Sequence, residues 1–455
     1  MFKKGMLWAG LMMLLFPTMA FAEEVTAQQV SDTLNTGLNS LWIMLAAILV
    51  ILMQAGFIML ETGSTRMKNA AHVAGKTIFT FGLATIVFWA VGYGLILGTV
   101  PDPANPGATI AGGNGFIGWG DFFFSPAFDS QTAILFVFQL AFAAVSLAIA
   151  WGGFAERGKL SVYLIFTVVF VGVIYPVIAH WIWGANGWMY GVKQDFAGST
   201  VVHLTGAMAA LAATILLKPR IGKFNKDGTA NQILGHNQVF TTLGVILLWV
   251  GWFGFNAGST LGVGDGYFGY VAFNTQLAAG AAAVAALIIS WIFMGKADIG
   301  TMLNGALAGL VAITASCAFV EPWAAVVIGL IAGIIVFFSM KMFEKLGIDD
   351  PIYALSVHGV AGIWGTLSTG FFATKELAER AAVGKAGLFY GGGWEQFLVQ
   401  LKGVAICGAY AFVLSFVALY IIKLVIGLRV SEEEEVVGLD LSEHGAYGYP
   451  ENVKK

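Results

Sequence analysis

Charge is what this sequence has least of. Asp, Glu, Lys and Arg make up 11% of its 455 residues, while 58% are hydrophobic. A soluble domain carries about 25% charged residues, so this composition could not cover a water-facing surface. The net charge of −3 comes without a basic patch, which leaves no nucleic-acid partner. Cysteine is nearly missing as well. Cys317 and Cys407 lie singly in long apolar segments, with no CxxC and no Cys/His cluster. Neither a zinc site nor a redox pair is suggested, and both read as small buried side chains. No soluble segment offers a nucleophile–base pair, a metal cluster or a phosphate-binding glycine loop. No enzyme is expected, with no catalytic residue, no metal and no cofactor.

What the chain has in abundance is long apolar sequence. In lipid, only helices and closed barrels satisfy their own backbone groups. The runs are uninterrupted rather than alternating ten-residue segments, which selects helices. The expected fold is an all-α polytopic membrane protein. The opening stretch, residues 1–22, has Lys3 and Lys4, a short apolar core and Ala20-Phe21-Ala22 before Glu23, the pattern of a cleavable signal peptide. Cleavage there would put the mature N-terminus outside, in a bacterial-type plasma (inner) membrane. Eleven segments can then cross about 30 Å of hydrocarbon: 38–61, 71–99, 130–154, 161–183, 195–217, 236–257, 269–294, 300–319, 323–343, 351–373 and 396–427. An odd count places the C-terminus in the cytoplasm. Charge supports that layout, because Arg66, Lys68, Arg157, Lys159, Lys218, Arg220, Lys223, Lys226, Lys296, Lys341 and Lys345 fall inside. Only Lys193, Lys375, Arg380 and Lys385 fall outside.

Glycine is plentiful at 59 residues, much of it within the spans, and GALAG at Gly305 and Gly309 is a GxxxG pair that lets helices approach closely. A repeat is also visible. Segment five opens DFAGSTVVH and segment ten follows DPIYALSVH, so Asp195 precedes His203 by the interval that separates Asp350 from His358. The two segments start at opposite faces, which is the inverted-repeat pattern of many transporters. The expected organisation is a first five-helix repeat (23–218), a second (236–373), an outer segment with a long helix 11 (374–428) and a cytoplasmic tail (429–455). Eight residues at 1.5 Å each carry each imidazole about 12 Å into the membrane, so His203 and His358 approach the midplane from opposite sides. A histidine buried in a membrane helix can simply bond a neighbouring helix, but intramembrane ionisable groups are costly and usually functional. For Asp195, a helix N-cap is a sufficient explanation by itself; negative charge near a cation path is the second role considered.

Aromatic clusters lie toward the outer face: FVFQLAF with Phe138 and Phe142, HWIWGANGW with Trp183, and GWFGFNAGS with Trp252, Phe255 and Ser259. Aromatics near a membrane boundary are ordinarily belt residues. These keep company with Gly, Asn and Ser, which suits a protein-facing position. A tryptophan face with a nearby hydroxyl could hold a small cation by cation–π attraction worth about 0.5–2 kcal/mol.

Together DFAGSTVVH, GWFGFNAGS, FQLAFA with GFAER, DDPIYALSVHG and the tail EEEEVVGLDLSEHGAYGYP resemble the Amt/Mep/Rh family of ammonium transporters, on its bacterial Amt side, from about Leu41 to Pro450. The resemblance implies a homotrimer with one pore per protomer. It implies an outer ammonium site at Trp183, Phe142 and Ser259 with Asp195 near it, and a gate of Phe142 and Phe255. It also implies a pore-centre pair of His203 and His358, with Phe138 and Trp252 supporting. Ammonium or ammonia is the implied substrate, methylammonium acceptance being left open. A PII-type signal protein is the implied partner of the cytoplasmic face, and the tail an implied regulatory arm, where the acidic run alone would read as a solvated face. Two positions depart from the family's pattern: Tyr353, where many bacterial members have a second acid, and Glu61 in LETG, where some relatives have an aromatic. The alternatives are an electroneutral Rh-type gas channel, separable by a current measurement, and an ammonium sensor of the same fold. A sodium-coupled transporter would want unwound helices with several oxygen ligands at the midplane.

Overall fold

The computed structural model describes residues 26–105, 107–126 and 130–452. The expected signal peptide lies outside the described residues. Among them, ten helices are long and apolar enough to cross a membrane: α1 (Ala27–Ser64), α2 (Met67–Leu97), α3 (Ser130–Trp151), α4 (Leu160–Trp183), α5 (Ser199–Leu217), α6 (Gln238–Thr260), α7 (Tyr267–Met294), α8 (Ile299–Ser316), α9 (Pro322–Lys345) and a last one at Glu395–Ile426. The expected tenth span is helical too. It is a π-turn, Leu355–Val360, running into the helix Ala361–Phe372, together designated α10. Its Ser, Thr, Gly and His content keeps it below the apolarity of the other ten, because it faces protein rather than lipid. The long final helix Glu395–Ile426 is α11.

Local sequence explains the helix ends. Thr26 and Gln29 form a reciprocal capping box, so α1 starts well before the apolar run at residue 38, and its polar first turns extend it. Asn237 caps α6 by accepting from the Phe240 N–H at 3.0 Å, and Asp298 caps α8 by accepting from Thr301 at 2.7 Å. Between α2 and α3, a short hairpin pairs Thr99–Pro101 with Thr109–Ala111.

The two halves interlock. α1 packs along α6, and α5 packs against α10, so corresponding helices pair with one another. Thr200 in the opening π-turn of α5 bonds Thr366 of α10 at 2.8 Å, and Gly359 in the π-turn of α10 lies against Ala207 of α5. Only an antiparallel pair makes both contacts, which is the inverted repeat read from the two DxxxxxxxH segments. Glycine permits the closeness. A Cβ on Gly244 of α6 would lie 2.3 Å from the Leu60 nitrogen of α1, and one on Gly305 of α8 would lie 2.2 Å from the Ala286 Cβ of α7. The GALAG motif is therefore a packing device between α7 and α8. Large apolar side chains face outward on α7 and α11, among them Ile292, Phe293, Leu424 and Val425, where lipid is the solvent.

The tail folds back onto the bundle. Its two short helices are Glu432–Val437 and Leu439–His444. Asp440 accepts N–H bonds from Ala71 and His72 at 3.0 and 2.8 Å, at the start of α2. Glu435 is buried, pairs with Arg429 at 2.7 Å and accepts the Ile221 N–H. The acidic run is thus not a solvated face as a whole: Glu432 and Glu433 are exposed, while Glu435 and Asp440 are docked.

Candidate functional site

α5 and α10 each open with the same device. Asp195 Oδ2 accepts the N–H groups of Thr200 and Val201, both at 3.0 Å. Asp350 accepts those of Ala354 and Leu355, at 3.0 and 2.7 Å. Each cap leads into a π-turn, Ser199–Leu204 or Leu355–Val360, and each π-turn carries a histidine. π-turns recur at functional sites because the extra residue re-aims side chains. Here they turn His203 and His358 toward one another: Nδ1 faces Nδ1 at 3.1 Å, with ring centroids 5.3 Å apart and planes within 13°. Both rings are buried. One Nδ1 must donate and the other accept, so the two rings hold opposite tautomers.

A column of rings leads to the pair. Trp183 meets Phe142 edge-on at 6.0 Å, and Phe142 stacks on Phe255 at 4.1 Å and 17°. Phe255 lies 5.5 Å from His203, and Trp252 stacks on His203 at 5.2 Å and 13°. Phe138 supports Phe142 at 4.6 Å. Trp252 is held by its indole N–H donating to Thr314 Oγ1 at 2.8 Å, and Trp183 by donating to the Asp195 carbonyl at 2.9 Å. Ser259 lies one turn beyond Phe255 and donates to its carbonyl at 2.8 Å, which leaves the Ser oxygen's lone pairs to accept. Beyond the histidines, Phe57 of α1 approaches His358 at 6.4 Å. Past it, toward the end of the bundle where the tail docks, a cavity is lined by Leu60, Asn304, Asp350, Tyr353 and Ser356.

The structure therefore brings Trp183, Phe142, Phe255, His203, His358, Trp252 and Phe138 into one continuous line, with Ser259 beside it. Asp195 supports that line from behind: it is buried and caps α5. Of the two departing positions, Tyr353 sits at the mouth of the cavity with its backbone in the left-handed region, φ +61°. Glu61 is enclosed and ion-paired with Lys76 at 2.6 Å, between α1 and α2 and away from the line of rings. Two residues escaped the sequence reading. Phe57 lies in an apolar run without any marker. Lys193, which the sequence places among the outer loop charges, is buried beside Asp195; a lysine two residues before an Asp does not by itself mark a buried pair.

The family described as Ammonium Transporter Family matches residues 41–449. The ammonium transporter Amt2 of Archaeoglobus fulgidus is 43% identical over 98% of this chain and 95% of its own length. The ammonium transporter of Bacillus subtilis is 37% identical over 91% and 99%. Among solved structures, one titled Sensor Amt Protein superposes with a TM-score of 0.82 at 38% identity, covering 91% of this chain and 100% of that one. Mep2 of Candida albicans gives a TM-score of 0.79 at 29% identity, over 91% and 92%.

Proposed function

Because the chain belongs to the ammonium transporter family, we propose that its ammonium passes along the line of rings from Trp183 to the His203–His358 pair. The chain is a multi-pass membrane protein and an ammonium transporter, and its named relatives are transporters rather than enzymes. What carries the route is the unbroken sequence Trp183, Phe142, Phe255, His203, His358, with no gap wider than neighbouring-ring contact.

On this reading the Trp183 end faces outside and the tail end faces the cytoplasm of a bacterial inner membrane, as the lysine and arginine bias favours. Ammonium settles against Trp183 and Phe142 by cation–π attraction, with Ser259 accepting one of its N–H bonds. The stacked Phe142 and Phe255 leave no room for a hydrated ion. A bare cation at an apolar midplane costs a few to more than ten kcal/mol, a cost that deprotonation avoids. Ammonia then moves along the imidazoles as donor and acceptor. The 3.1 Å bond between the two Nδ1 atoms also suits the pair to passing a proton. Sodium and potassium have no proton to give up, and selectivity follows. The division into repeats at 23–218 and 236–373, a homotrimer, and a PII-type protein at the tail face complete the reading.

The test is current from proteoliposomes after an ammonium jump, with sodium and potassium jumps as controls. An ammonium-specific current altered by His203→Ala is expected. Silence in both current and an internal pH dye would sink the route. Two further readings remain. Alkalinisation of the dye without current would assign a Rh-type gas channel. The fit to the structure titled Sensor Amt Protein favours an ammonium sensor as a third reading, which predicts ammonium binding without flux.

A further inference from the structure

The stretch between α4 and α5 buries a cation. Lys193 is 1% exposed and Asp195 is 3% exposed. The Lys193 ammonium donates to Thr200 Oγ1 at 2.9 Å and stands 3.7 Å from Asp195 Oδ2. Thr200 in turn shares a 2.8 Å hydrogen bond with Thr366 of α10. The bundle is shaped around this side chain. A Cβ on Gly403 of α11 would lie 2.3 Å from the Lys193 Cε, so a larger residue there would have to displace the stem. The flanking backbone is pinned, with the Gln194 N–H donating to Gln400 Oε1 at 3.0 Å. Asp195 Oδ2 receives two backbone N–H groups and faces the lysine, while its Oδ1 is buried with no partner.

Resting on the transport reading above, we propose that Lys193 is the resident counter-cation of Asp195 and thereby sets the affinity of the outer site. The tethered ammonium group stands where a free cation would otherwise balance the carboxylate. With Lys193 in place the buried wall behind Trp183 is neutral, and an arriving ammonium ion is held by the aromatic faces and the Ser259 hydroxyl alone. Without it, the Asp195 charge is unbalanced, its bare Oδ1 accepts a donor, and a small N–H cation fits the vacated position. Lys193 is a positioning residue: it acts through Asp195 and not on the substrate. The consequence is a site of moderate affinity that releases its ion.

The measurement is the thermal unfolding of purified full-length protein titrated with ammonium chloride, against choline chloride, for the parent, Lys193→Met and Lys193→Met/Asp195→Asn. Ammonium flux into proteoliposomes is measured on the same samples. Lys193→Met is expected to be stabilised by ammonium at about tenfold lower concentration than the parent, one unscreened charge at close range being worth at least that factor. The double variant is expected to lose this gain. An ammonium response of Lys193→Met equal to the parent's overturns the proposal. So does a Lys193→Met protein that folds in neither salt while the double variant folds, since that makes the pair structural only. A parent that shows no ammonium flux removes the transport reading, whereas the ammonium-selective stabilisation of Lys193→Met still decides the role of Lys193.

Discussion

At the scale of single residues, this bundle buries opposite charges as pairs, Glu61 with Lys76 and Asp195 with Lys193 among them, and breaking a pair costs more than deleting it. Glu61 and Lys76 are both enclosed, 2.6 Å apart. Glu61→Gln leaves the Lys76 ammonium uncompensated in a low-dielectric site, a loss of about 3–5 kcal/mol. The double variant Glu61→Gln/Lys76→Met is expected to recover most of it, as read by thermal unfolding in detergent. Recovery that fails to appear would mean that Lys76 is held by its ring contact with Tyr163 rather than by the carboxylate. Within the line of rings, His203→Ala removes one partner of the 3.1 Å bond and opens a void beside Trp252. Orphaning His358 and creating the void together cost about 2–4 kcal/mol. Ammonium flux is expected to fall at least tenfold in a protein that still folds.

The elements that matter are those with an irregularity at the start. α5 and α10 each place an Asp cap ahead of a π-turn, and the turn aims the histidine. Asp350→Ala removes the acceptor of the Ala354 and Leu355 N–H groups, a loss of about 1–2 kcal/mol by the usual value of a cap. It is expected to speed amide hydrogen exchange at Leu355 well above that at mid-helix positions of α10, while the Asp195 cap stays protected. Equal exchange at both sites would remove the cap from the account. These elements were legible in the sequence because the eight-residue interval recurs. What the interval did not reveal is the π-turn, since no composition marks one extra residue in a helical turn. Nor did it show that Asp195 faces Lys193, because a lysine two residues upstream reads as an ordinary loop charge. α10 illustrates the opposite case. Its segment, 351–373, is legible from the length of its apolar run, although its Ser, Thr, Gly and His content makes it less apolar than the ten other spans among the described residues.

The whole molecule is sealed at the tail end by a network of charge. Arg220 donates to both oxygens of Asp349, at 2.9 and 2.8 Å, and stands 3.4 Å from Glu156, which receives Arg66 at 2.6 Å. Burial pushes the Asp349 carboxyl up, but the hydrogen bonds and charge of Arg220 outweigh it and hold the group at about 2, below its ordinary 3.8. An acid held low in the folded state stabilises that state above its unfolded value and loses the contribution as pH falls through its folded value. Stability is therefore expected to drop by about 2 kcal/mol between pH 4 and pH 2, and Arg220→Ala should flatten that step in acid unfolding curves. The docked tail belongs to the same scale. Its contacts join residues far apart in the sequence, 368 positions in the case of Asp440 with His72 and 214 in that of Glu435 with Ile221. A linear reading sees only an acidic segment there and cannot tell which carboxylates are covered.

The opposed tautomers of His203 and His358 give the pair a direction. Whichever ring supplies the shared proton has a bare Nε2, and its partner has an N–H at the corresponding edge. A molecule of ammonia that bonds to one edge and then the other leaves this arrangement as it found it. A proton handed through the pair does not: it enters at one end, the shared proton shifts across, another leaves at the far end, and both rings have exchanged roles. The pair then points backwards and cannot take a second proton from the same side until it is reversed. Neutral passage is thus a valve with no memory, while charged passage is a ratchet that must be rewound after every stroke.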